Sequence, residues 1–224
     1  MLVVLNNKCN FTLNEFVEYQ KNLKSINTKH KLILCPSNIY ISKFELENIF
    51  LGAQNVSAFD NGAYTGEVSA VQLKSLDVKY SLVGHSERRV YFKEDNNSIK
   101  NKIEMLLKNN IVPIYCIGEL SKKANNSEII KELEILKQVN DSDKIIIAYE
   151  PLWAIGTGMQ PNINELENII KLIKSQFPNN KVLYGGSVNE KNITNLKSNL
   201  IDGYLLGGIS LHPDRINSLL SKLN

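Results

Sequence analysis

The stretch KIIIAYEPLWAIGTG, residues 144–158, begins as an apolar run and ends in glycines. Between them stand a carboxylate, Glu150, a proline, Pro151, and the only tryptophan of the chain, Trp153. The run IIIAY is apolar at every position rather than at every second one, which marks a strand buried on both faces. A strand that only fills a core has no use for Glu150 at its end, and a plain turn has no use for Trp153. What the stretch does therefore depends on what the other strands carry at their ends.

Similar runs recur along the chain: LVVL at 2–5, KLILC at 31–35, FLGAQNV at 50–56, YSLVG at 80–84, IVPIYCIG at 111–118, KVLYGG at 181–186 and GYLLGG at 203–208. Between most of them the apolar period changes to that of a helix. Residues 14–26 place Phe16, Val17, Leu23 and Ile26 on or near one face. Residues 98–110 do the same with Ile99, Ile103, Leu106 and Leu107, and residues 164–177 with Leu166, Ile169, Ile170, Ile173 and Phe177. TLNE at 12–15 and NITN at 192–195 read as helix entries. Strands alternating with helices imply parallel pairing through right-handed crossovers. Eight such units in 224 residues describe a (β/α)8 barrel, one domain over residues 1–224. An open doubly wound sheet would show a G-x-G-x-x-G turn after the first strand, and none is present.

Bulk composition narrows the function classes. Apolar residues make up 43% and charged residues 22%, enough to bury a core without staples. A net charge of +3 from 26 basic and 23 acidic residues gives no electrostatic footprint for nucleic acid or membrane. No run approaches the ~18 apolar residues of a spanning helix. The N-terminal apolar run is too short for a signal segment. Cysteines Cys9, Cys35 and Cys116 are odd in number and form no C-x-x-C pair, which suits a reducing cytoplasm. No metal-ligand or cofactor-binding signature is present.

In a barrel of this kind the chemistry sits at the C-terminal ends of the strands. Strand one ends in Asn6 and Lys8, strand four in GHSERR with His85, strand six in Glu150, strand seven in YGGSV with Ser187, and strand eight in LLGGISL with Gly207 and Gly208. Each has a plain reading on its own: a solvated lysine, a capping histidine or serine, glycines that permit tight turns. Together they place an ammonium, an imidazole, a carboxylate and backbone turns suited to phosphate on one rim.

N-x-K after strand one, GAQNV, GAYTGE, LVGHSERR, PIYCIGE, IAYEPLWAIGTG, YGGSV and LLGGISL resemble the triosephosphate isomerase family, in order and across essentially the whole chain. The resemblance implies interconversion of dihydroxyacetone phosphate and glyceraldehyde 3-phosphate through an enediolate, in glycolysis and gluconeogenesis, with no cofactor and no metal. It implies Glu150 as the base, His85 as a neutral electrophile at a helix start, Lys8 as fixed positive charge, Asn6 as an orienting group and Glu87 as the acid beside the lysine. Gly156, Ser187, Gly207 and Gly208 would hold the phosphate. Pro151, Trp153 and Gly158 would belong to a lid that excludes water. Thr65, with Tyr64 beside it, would reach a second subunit, which implies a homodimer. The sequence departs from the family at Asn7, where an aromatic is usual, and at the far lid hinge, Met159, Gln160 and Pro161. The proline there predicts altered lid kinetics. The segment from Cys116 to Glu150 is trimmed. A catalytically weak barrel acting as a phosphate-ligand binding or interaction protein is the alternative, and another phosphate-binding barrel enzyme would share the glycine turns but need not share Glu150, His85 and Lys8 together.

Overall fold

In the computed structural model, which describes residues 1–121, 126–154 and 159–223, eight parallel strands close into a barrel in the order β1 to β8. They are β1 (Leu2–Asn6), β2 (Lys31–Cys35), β3 (Phe50–Ala53), β4 (Tyr80–Val83), β5 (Val112–Ile117), β6 (Ile146–Tyr149), β7 (Val182–Tyr184) and β8 (Gly203–Leu206). The ring closes where β1 pairs with β8, Leu5 opposite Leu206. The helices outside it are α1 (Leu13–Leu23), α2 (Ala70–Ser75), α3 (Ser86–Phe92), α4 (Asn96–Lys108), α5 (Ser127–Leu133), α6 (Ile163–Gln176) and α7 (Pro213–Leu223).

Successive side chains of a strand point to opposite faces, so the strands feed two cores, except that β3 turns only Gly52 toward the interior residues Ile33 and Cys35. One set fills the barrel interior: Leu2 and Val4, Ile33 and Cys35, Tyr80 and Leu82, Ile114 and Cys116, Ile146 and Ala148, Leu183, Leu205. The alternate set, including Val3, Leu5, Leu32, Leu34, Val83, Tyr115, Ile147 and Tyr184, packs against the helices. Both layers are apolar, which is why the runs show no alternation in sequence.

The helices follow their signals with three differences. Thr12 caps α1 in a reciprocal box with Glu15, and Asn162 caps α6 with Glu165. Phe16, Leu23 and Ile26 are buried as the periodicity expects, but Val17 is 40% exposed, and Tyr19 and Gln20 are the buried neighbours instead. The crossover from β7 to β8 holds only a 3-10 turn, Ile193–Leu196, with no side-chain cap from Asn192. The crossover from β2 to β3 likewise holds a 3-10 segment, Asn38–Lys43. Between β5 and β6, α5 has two turns and is followed by 3-10 turns at Leu136–Gln138 and Ser142–Lys144.

Candidate active site

On β1, β6, β7 and β8 the inward parity runs on to the rim. After Leu2 and Val4 comes Asn6. After Ile146 and Ala148 comes Glu150. After Leu183 and Leu205 come Gly185 and Gly207. The rim thus inherits its inward direction from the pleat of the barrel, and polar or small residues replace the apolar ones where the core ends. Asn6, Lys8, His85, Glu150, Ser187 and Gly207 line a common cavity of about 310 Å³, and Gly208 lies on it as well.

Glu150 is 4% exposed. Its backbone N–H donates to the Ile117 carbonyl at 2.7 Å, which holds the chain end of β6 to that of β5. Oε1 lies 3.4 Å from His85 Nε2, and Oε2 is buried without a hydrogen-bond partner among the described residues. A buried carboxylate oxygen without a partner is costly in a core residue. Burial pushes the neighbouring Cys116 thiol up, and Glu150 stands close enough to that thiol to help. Gly185 leaves room for this side chain: a Cβ there would lie 2.7 Å from Glu150 Cγ.

His85 breaks the parity. Gly84 before it has φ 68°, a left-handed conformation that glycine adopts readily, and the following residue swings onto the rim. His85 then caps α3: its Nδ1 accepts from the Glu87 N–H at 3.2 Å. An Nδ1 that accepts carries no proton, so a single hydrogen sits on Nε2, which faces Glu150 and the cavity.

Lys8 also sits at positive φ, 53°. Two contacts hold it there. Its N–H donates to Asn6 Oδ1 at 3.0 Å, and its carbonyl accepts from Gln54 Nε2 at 2.8 Å. Gln54 donates to the Cys35 carbonyl as well, so it ties β2 and the β3 loop to the lysine turn. Lys8 Nζ meets Glu87 Oε1 at 2.5 Å. Asn7 between them points the other way. It is 1% exposed and donates to Tyr19 Oη and the Ser210 carbonyl, both at 3.3 Å. The missing aromatic at this position therefore touches the helix layer and not the cavity.

On the opposite rim, the Ser187 hydroxyl donates to the Ala154 carbonyl and so ties the β7 turn to the segment after Glu150. Ser187 starts no helix. A Cβ at Gly208 would meet nothing within 4 Å, and one at Gly207 only the end of the Lys8 side chain, Cε at 3.5 Å and Nζ at 3.9 Å, so this edge is open. Pro151 is buried, and Trp153 Nε1 donates to Glu119 Oε1 at 2.7 Å. Gly156 and Gly158 lie outside the described residues. Pro161 is buried and directly precedes Asn162, the cap of α6, where a missing N–H breaks no helical bond. Tyr64 and Thr65 are exposed, away from this cavity, and Tyr64 stacks on Phe59 with ring centroids 4.3 Å apart.

Three residues that the strand-end reading passed over support the site. Gln54 is one. Glu119, 7% exposed, accepts from both Tyr149 Oη (2.9 Å) and Trp153 through Oε1. Burial, with Glu119 beside it, pushes the Tyr149 hydroxyl far up and keeps it a donor. Glu132 on α5 accepts the Gly118 N–H at 2.8 Å and faces Arg89 Nε at 3.4 Å. Burial raises this carboxyl from 4.5 to about 6, with Arg89 and the Gly118 N–H opposing the rise. The signal for Glu119 was present as a charged residue just past an apolar run. Gln54, a polar residue directly after β3, carried a similar signal, and nothing local marks Glu132.

Comparison with known proteins agrees with the geometry. The family model described as triosephosphate isomerase matches residues 1–223. The chain is 41% identical to a triosephosphate isomerase of Mesomycoplasma hyopneumoniae, covering 98% of each. It is 40% identical to one of Dictyoglomus thermophilum, covering 90% of this chain and 88% of that protein, and 35% identical to one of Neurospora crassa, covering 97% and 96%. With a closed eight-stranded barrel and this match over its length, the chain belongs to the triosephosphate isomerase family.

Proposed function

We propose that the triosephosphate isomerase activity of this chain runs on Glu150 as base, His85 as hydrogen-bond donor to the substrate oxygens and Lys8 as fixed positive charge. The observation that carries the reading is the pairing of His85 Nε2 with Glu150 Oε1 at 3.4 Å while Nδ1 is occupied by the Glu87 N–H. A substrate in the cavity that both side chains line meets a base and a neutral N–H donor next to each other. Glu150 takes a proton from C1 of dihydroxyacetone phosphate, and the Nε2–H bonds the oxygen that gains charge. The same carboxyl returns the proton at C2, and the hydroxyl proton moves from O1 to O2, so the triose is isomerised with no atom gained or lost.

Asn6 orients the substrate oxygens in this reading. Glu87 fixes the ammonium of Lys8 through the 2.5 Å contact. The phosphate lies at the open edge of Ser187, Gly207 and Gly208, where backbone can approach an anion closely, with Gly156 completing it. Pro151, Trp153 and Gly158 form the lid. The Trp153–Glu119–Tyr149 contacts support this by giving the segment an anchored base. The exposed, stacked Phe59 and Tyr64, with Thr65 next to them, support a homodimer contact. Three free cysteines, two of them buried, suit a cytoplasmic protein.

The test is turnover of glyceraldehyde 3-phosphate by the wild type and Glu150→Asp. Retracting the carboxylate by one methylene is expected to cost about 10²-fold in kcat with the fold intact. A Glu150→Asp enzyme with wild-type kcat would remove Glu150 as the base. A folded wild type that binds phosphate but turns over nothing would support the binding-protein alternative.

A further inference from the structure

The cavity rim carries a second cation beside Lys8. Arg215 lines the same cavity as Ser187, Gly207 and Gly208. It stands in the first turn of α7, an end where a helix favours acidic side chains and gives a guanidinium no help. What holds it is Glu190 on the β7 loop. Arg215 Nε lies 3.2 and 3.3 Å from the two Glu190 oxygens, and Nη2 lies 3.0 Å from Oε2. The Glu190 backbone is fixed in turn, since its carbonyl accepts from Lys222 Nζ at 2.7 Å. Arg215 keeps Glu190 charged, holding its carboxyl below the usual range. The side-on pair uses the Nε–Nη2 edge of the guanidinium, and among the described residues Nη1 has no partner.

Charges around the cavity give this pair its meaning. Lys8 is already paired with Glu87, and Glu150 contributes a negative charge. An incoming phosphorylated triose is an anion. We propose that Arg215 is a specificity-determining residue of the phosphate side of this cavity, drawing in the anionic end of the substrate, with Glu190 fixing its direction and damping its charge. This rests on the assignment of the cavity to a phosphorylated triose. Two side chains of one ion pair then act on substrate binding with opposite sign. A pair that merely clasped α7 to the β7 loop would act with one sign.

The experiment compares wild type with Arg215→Gln, Arg215→Lys and Glu190→Gln. Steady-state kinetics with glyceraldehyde 3-phosphate are read at about 10 mM and about 0.5 M salt, inorganic phosphate binding by calorimetry, and Tm for each protein. At low salt Arg215→Gln is expected to lower kcat/KM about three- to tenfold, with the loss in KM rather than kcat, and to weaken inorganic phosphate by a similar factor. Arg215→Lys keeps most of the wild-type value. Glu190→Gln raises kcat/KM. The differences shrink at high salt, where the screening length falls from about 30 Å toward about 4 Å. The proposal is overturned if Arg215→Gln leaves KM and phosphate affinity unchanged, or if it and Glu190→Gln shift KM the same way with a common drop in Tm. A wild type that isomerises no triose phosphate would overturn the assigned activity instead, and calorimetry with inorganic phosphate would still decide the role of Arg215.

Discussion

Glu150 and His85, the proposed base and donor, are placed by their neighbours' glycines. Gly84 turns His85 onto the rim by its positive φ, and Gly185 leaves the space that the Glu150 side chain occupies. The second of these makes a sharp prediction. In Gly185→Ala the new methyl meets Glu150 Cγ at 2.7 Å and Oε1 at 3.1 Å, too close for either to remain where it is. The φ of Gly185 is not left-handed, so the backbone tolerates the methyl and the carboxylate moves. We expect kcat to fall by about 10²-fold while urea denaturation changes by no more than ~1–2 kcal/mol. An alanine variant with wild-type kcat would count against Glu150 as the base, or show that its carboxylate has more freedom than its packing allows. The strain at Lys8 is of the same kind. A non-glycine residue at positive φ costs roughly 1–3 kcal/mol and persists where surroundings impose it. Asn6 and Gln54 are those surroundings.

Among the elements, α5 is short but joins three parts of the molecule through Glu132. That carboxylate holds the turn after β5 at Gly118 and faces Arg89 of α3. Arg89 donates in turn to the Gly84 carbonyl at 2.9 Å, directly before His85. Burial raises Glu132 from 4.5 to about 6, so the folded protein holds this proton more tightly than the unfolded chain does. The stabilisation from that proton is complete below about pH 4.5 and is lost as the pH rises through about 6. The rise corresponds to roughly 2 kcal/mol. Glu132→Gln cannot ionise and loses this dependence. Urea denaturation of wild type and variant at pH 4 and pH 7 should show the wild type losing about 2 kcal/mol more than Glu132→Gln over that interval. Equal slopes would mean that Arg89 offsets the burial of the carboxylate in full.

For the molecule as a whole, the barrel fixes the rim while the loop at 57–69 leaves it. Phe59 and Tyr64 expose 48% and 43% of their surface, and they stack on one another in place of joining the core. Aromatic residues are enriched where interfaces form. We predict a dimeric mass in light scattering at micromolar concentration, and a shift toward monomer in Tyr64→Asp, where a charge would have to be buried. A monomeric wild type at that concentration would refute the dimer.

Some of this was readable from local order alone. Apolar runs at regular spacing announce a parallel barrel because both faces of each strand are buried, so neither face needs polar residues. The strict alternation of the pleat also carries past the strand end, which is why Asn6 and Glu150 could be assigned to the rim from their position in the chain. The turn after β4 was legible as GHSERR. Other features arise only from contacts between segments far apart in sequence: Gln54 on the Lys8 carbonyl, Glu119 beneath Trp153, Arg89 against Glu132, and Arg215 against Glu190. Val17 misled because a helix face is chosen by what packs on it, and here Tyr19 and Gln20 fit the space instead. Asn7 looked like a change in the site, yet it faces the helix layer, because the pleat that points Asn6 inward points its neighbour out. Periodicity along the chain decides which way a side chain points, and only closure of the barrel decides what it meets there.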